Sequence, residues 1–163
     1  MFCPKCSRSI DLVFKRAVQQ IKIGLNVCRL LPTYIVLGLL KHTVPLHRLA
    51  RWTWRPSIGP RNHQVEQQLT LNVLRLSQLM GLFDRDCLQR SLLLYRILSR
   101  AGANPTLVVG FHRLDGQVIG HAWVTVDGDV IIEGETNLRQ FSPALCFGSR
   151  GILIPMNPDL RPI

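Results

Sequence analysis

The sequence has no lysine after Lys41, and its first 61 residues contain a single acid, Asp11. Eleven basic residues share that stretch, so the first third of the chain carries the whole formal net charge of +10. Residues 62–163 hold nine arginines and nine acids and balance to zero. A uniformly basic protein is excluded: a basic N-terminal part precedes a neutral domain. Long apolar runs are also lacking. The longest, LLPTYIVLGLL (30–40), contains Pro32 and is about half the length a membrane span needs. No small-residue cleavage site follows it closely, which excludes a secretory signal. It reads as a core or partner-facing helix, with contact at a membrane surface a minor alternative. Charged residues make up only 18% of a chain that is 47% apolar, which excludes disorder. An even cysteine count is missing too. Five cysteines without a signal segment argue for free thiols in a reducing, cytoplasmic compartment.

What is present is one domain's worth of chain with a change of period in its middle. Ile10, Phe14, Val18, Ile21 and Leu25 recur at helical spacing between basic residues, and a second helical run covers about 33–44 and stops near Pro45. RPSIGPRN (55–62) is a linker or crossing loop. Val65, Leu69, Val73, Leu76 and Leu79 predict a helix over 63–80. Another follows Cys87, with Leu88, Leu92, Tyr95 and Leu98 on its apolar side and Gly102 as its terminator. From there the period is two. TLVVGF (106–111), QVIGHAWVTV (117–126) and DVIIE (129–133) predict three antiparallel strands joined at Asp115-Gly116 and Asp127-Gly128. SPAL (142–145) suits a short helix start, with Ser142 as cap and Pro143 in the first position. The layout is α+β. Residues 1–61 form a basic helical region, and residues 62–163 form a domain in which the Cys87 helix lies on an antiparallel sheet.

Cys87 stands at the edge of its apolar helix, after the polar run FDRD (83–86). A helix N-terminus carries partial positive charge and free N–H groups, which stabilise a thiolate and can hold an oxyanion. Asp84 or Asp86 is the cap. His121, in the second strand, is the candidate base for such a thiol. The third strand offers a carboxylate to orient the imidazole, and the hairpin loop decides which face receives it. A two-residue loop pairs Val126 with Asp129 and puts Glu133 opposite Ala122. A three-residue loop with Gly128 as bulge pairs Thr125 with Asp129 and sets Glu133 across from His121. The second register is the expectation, with Trp123 beside the pair as a water-excluding, substrate-facing wall and Glu135 as the reserve carboxylate.

DCLQRSLLLYRILSRAGANPTLVVGF followed by GHAWVTVDGDVIIEGE resembles the core of the bacterial lasso-peptide leader peptidases, over roughly residues 65–137. These are transglutaminase-like, papain-related cysteine proteases, here similar to the stand-alone form. The resemblance implies that fold and a catalytic triad of Cys87, His121 and Glu133, where the family usually has Asp at the third position. It implies hydrolytic removal of the leader from a ribosomally made precursor peptide. It also implies a separate leader-recognition protein and a lasso cyclase as partners, and no cofactor. Alternatives are a transglutaminase-like acyltransferase and a non-catalytic peptide-binding scaffold.

Other motifs are weaker. CPKC (3–6) has metal-ligand spacing, but a structural zinc needs four ligands and only Cys28, His42 and His47 are near in sequence. No metal is expected. HRLARWTWRP (47–56) suits a protein interface better than nucleic acid. His63 and His112 read as surface residues, and Cys146 as buried.

Overall fold

In the computed structural model, the described residues are 28–80, 87–131 and 138–155. The chain is α+β, with four helices followed by a four-stranded antiparallel sheet. The helices are α1 (helical over 28–40), α2 (Leu46–Thr53), α3 (His63–Met80) and α4 (Cys87–Arg100). The strands are β1 (Pro105–Leu114), β2 (Gln117–Val126), β3 (Asp129–Val130) and β4 (Ser142–Phe147), in the order β3-β2-β1-β4.

The sheet is two-faced because side chains alternate along each strand. Leu107, Val124, Val126 and Phe147 pack with α4 and the other helices in the larger apolar core. Val108, Trp123, Cys146, Leu138 and Phe141 form a second cluster on the opposite face. Helix α4 sits between the layers and is buried almost throughout, from Ser91 to Tyr95 and again from Ile97 to Ser99. It ends as expected at Gly102 (φ +91°), with the Ala103 N–H bonded back to the Leu98 carbonyl. Residues before position 61 share this core. Tyr34 and Leu37 of α1 and Leu49 and Ala50 of α2 are buried in it, whereas Ile35, Val36 and Leu39 on the outer side of α1 are exposed.

Three local expectations are corrected. Helix α1 runs through Pro32 instead of starting after it. The Arg/Trp stretch 47–56, within the region expected to be helical, is largely helix α2, whose buried Leu49, Ala50 and Thr53 fall at helical spacing behind Pro45. On α3 the bounds are as anticipated but the buried stripe is rotated. Glu66, Asn72, Val73 and Leu76 are buried, while Val65 and Leu79 are exposed. Asn62 caps this helix, its Oδ1 accepting from the Gln64 N–H at 3.0 Å. Glu66 is buried because Arg61 Nε binds its Oε1 at 2.7 Å, and Arg61 Nη1 also reaches Asp127 Oδ2 at 2.7 Å. Those two hydrogen bonds, Glu66's first, raise the Arg61 pKa and tie the start of α3 to the β2–β3 turn. Finally, 142–147 is a strand, not a helix start. Pro143 is tolerated because β4 is an edge strand and its register against β1 shifts between Val109 and Gly110. The run 10–25 and the pair Cys3 and Cys6 lie outside the described residues.

After β4 the chain turns back under α2. The buried Tyr95 hydroxyl donates to the Gly148 carbonyl and accepts from the Gly151 N–H at 3.0 Å. Burial pushes its pKa up to about 12. Gly151 (φ +64°) lies so close to α2 that an added Cβ would stand 2.4 Å from the Arg51 nitrogen and 2.5 Å from the Ala50 carbonyl carbon. Backbone cannot yield as a side chain can. Gly151→Ala is therefore expected to cost about 3 kcal/mol of stability, read as a lower urea midpoint with an unchanged slope.

Candidate active site

Cys87 is the first residue of α4 and half-buried. The first turn of the helix contains no acid and includes Arg90. Its free N–H groups form the positive end of the helix dipole and can hold an oxyanion. Gln89, one turn in, is buried, and its Nε2 donates to the Tyr34 carbonyl at 2.7 Å, which ties the start of α4 to α1. Ser91 Oγ donates to the Ala122 carbonyl at 2.9 Å. The second turn of α4 thus meets β2 at the residue next to His121. Asp84 and Asp86, the expected caps, lie outside the described residues.

His121 pairs with Gly110 of β1 and is half-buried. Alternation places its imidazole on the face opposite α4, where it stacks on Trp123 (centroids 6.2 Å apart, planes 21°) and touches the Phe141 ring at 5.1 Å. No hydrogen bond joins the Cys87 sulfur to this ring among the described residues. Burial lowers the His121 pKa below 6.5, and the charge of Arg90 lowers it further. The imidazole is therefore neutral at neutral pH, the form a general base requires.

Trp123 is buried and lies across Gly110. A Cβ at 110 would stand 2.8 Å from the indole and 2.8 Å from the Ser142 carbonyl. Gly120, the neighbour of His121, leaves no special space: a Cβ there would meet only ordinary contacts with Phe111, at 3.4 Å. Gly110 is the glycine that makes room. Phe141 was not anticipated as part of the site, and no periodicity in its surroundings marks it. His112, read as a surface residue, packs edge-on against the same Phe141 ring at 5.8 Å. His63 lies at the exposed start of α3, 3.5 Å from Glu66.

The expected three-residue β2–β3 loop is not formed. Val126 pairs with Asp129 and Thr125 with Val130, so Asp127-Gly128 is a two-residue turn with φ of +56° and +93°. Both φ values are positive, as the tight turn that follows strand twist requires, and Asp-Gly supplies them without a bulge. The Ile131 N–H continues that register to the Val124 carbonyl at 2.8 Å. Glu133 and Glu135 lie outside the described residues. Cys28, Cys87 and Cys146 are free thiols, and burial pushes the Cys146 thiol up. No group of three metal-ligating side chains occurs among the described residues. No described helix is long and apolar enough to cross a membrane.

A helix opening on a cysteine, laid over an antiparallel sheet whose second strand carries a histidine, is an arrangement of the transglutaminase-like class. A family model described as the transglutaminase-like superfamily matches residues 31–146, and the chain belongs to that family. No curated protein and no solved structure matches it.

The depressed pKa of His121 has a direct readout. Its ring resonances are expected to titrate with a midpoint below 6.5 in NMR spectra of the folded protein. The associated stability is fully present above 6.5 and declines as pH falls from there toward the folded midpoint. A midpoint at or above 6.5 would contradict the buried, neutral imidazole.

Proposed function

We propose that this protein is a cysteine peptidase that removes the leader from a ribosomally made lasso-peptide precursor. The observation that carries the reading is the position of Cys87. It opens α4 with no acid in the first turn, one turn before Ser91 bonds to β2 at the residue next to His121, inside a transglutaminase-like domain. The sequence around the pair, from Cys87 to the second hairpin, supports the narrower assignment through its resemblance to leader peptidases.

In this mechanism the Cys87 thiolate attacks the last leader carbonyl carbon, and His121 receives the thiol proton. First-turn N–H groups of α4 hold the oxyanion. The tetrahedral intermediate collapses to a thioester, and the leaving amine takes its proton from the imidazole. Water, deprotonated by His121, then hydrolyses the thioester and releases the leader acid. The resemblance alone gives Glu133 the role of holding the imidazole N–H; the three-residue loop that would have set it across from His121 is not the one formed. The reading requires the sulfur and the imidazole to come within hydrogen-bond reach when substrate is bound, as catalytic contacts commonly tighten in the complex. The precursor, a separate recognition protein and a downstream cyclase are the partners it entails. The free thiols of Cys28, Cys87 and Cys146 suit a reducing cytoplasm.

The test incubates the full chain with a synthetic precursor and the recognition partner. Wild type is expected to yield a leader fragment whose mass includes one added water. Cys87→Ala and His121→Ala are each expected to lower the rate by about a thousandfold or more while retaining precursor binding. Cleavage that survives Cys87→Ala overturns the peptidase reading. A product joined to an added amine, without the water, assigns acyl transfer instead.

A further inference from the structure

Beyond the Cys87 region, the most distinctive surface is on the helical side. A cavity of about 450 Å³ opens between α1, the 55–62 loop, α3 and α4. Leu30, Ile58, Val65, Leu69 and Ile97 make its walls apolar. Arg29, Arg96 and Arg100 also line it. A second cavity of about 340 Å³ adjoins it across Thr33 and Arg96, which line both, and adds Trp52, Leu40 and Arg55. No acidic residue lines either one among the described residues. None of these four arginines has a carboxylate partner there, whereas Arg61, nearby, has two. Arg96 is held half-buried between two further cations: desolvation lowers its pKa first, then the charges of Arg55 and Arg100. Four unpaired guanidinium groups around an apolar groove lack the anion that would balance them.

We propose that this groove binds an extended peptide segment carrying acidic side chains next to aliphatic ones, the part of the substrate upstream of the cleaved bond. The proposal rests on the peptidase reading above. Its occupant is argued from charge and reach. The aliphatic side chains enter the two cavities and the carboxylates meet the arginines. The 14 residues of α4 separate Cys87 from Arg100 by about 20 Å along the helix. An extended chain covers that distance in about six residues. A substrate held by its scissile bond at Cys87 thus reaches the groove with a segment some six or more residues upstream. Engagement at both places would raise affinity without altering the chemistry at the sulfur.

Binding is measured by fluorescence anisotropy on the full-length Cys87→Ala protein, so that cleavage does not enter the readout. The probe is a labelled peptide of alternating Leu and Glu, compared with the same peptide carrying Gln in place of Glu. Phosphatidylglycerol vesicles serve as a second probe. The Glu peptide is expected to bind about tenfold more tightly than the Gln peptide. Arg29→Glu/Arg100→Glu, two exposed positions on the groove, should remove that preference, and so should Ile58→Asp. Arg48→Glu/Arg113→Glu, the same charge change away from the groove, should preserve it. Equal binding by the groove and control variants overturns the proposal, as does binding of the vesicles in preference to the peptide. Groove-dependent binding by a chain whose wild type cleaves nothing would leave the groove in place and remove the peptidase.

Discussion

The burial of α4 between a helical layer and the sheet is the constraint on which the other features depend. Its middle and later turns are enclosed by α1, α2 and α3 on one side and by β1 and β2 on the other. Cys87 is half-buried at its start, and Arg100 is exposed at its end. A helix so enclosed cannot slide or rotate without opening the core, so its two ends are fixed relative to the sheet. The thiol and the arginine-lined groove are therefore opposite ends of one rigid rod.

Electrostatics divides along the same rod. Near its start, a cation and burial together keep His121 neutral, and no first-turn acid competes for the positive helix end. Near its end, Arg96 and Arg100 sit with Arg55 without compensating carboxylates, while the one buried acid of α3, Glu66, is consumed by Arg61. Glu66 and Asp127 are both engaged by Arg61, and among the described residues no acid lines the groove.

Much of this was legible in the sequence. The bounds of α3 and the stop of α4 followed from period and glycine. Both Asp-Gly turns, the antiparallel order of β1 to β3 and the burial of Cys146 were also readable. Other features depended on partners far away in sequence. Ser142 and Pro143 have local helix-start chemistry, but pairing with β1 overrode it. The α3 stripe is rotated because Arg61 makes Glu66 buriable, and no hydrophobicity pattern counts an ion pair as core. The bulged loop was preferred because it placed a carboxylate opposite His121, yet Asp-Gly satisfies the two-residue turn outright. Alternation along β2 turns Val124 and Val126 toward α4 and Trp123 toward the second cluster, and only the packing of the helices on one face decided which side the histidine took. Phe141 reached the site only through the return of the chain to β4, which nothing local announces.

Gly110 has a consequence for how this site can vary. The indole of Trp123 occupies the volume that any side chain at 110 would claim, and it is the same indole on which the imidazole lies. Substitution on β1 would therefore be felt as a tilt of the histidine ring on β2, although residue 110 contributes no reactive atom. Diversification of the pocket is closed off along that strand and left to the chain around Phe141, where a change of ring size alters the roof over the imidazole without displacing the floor beneath it.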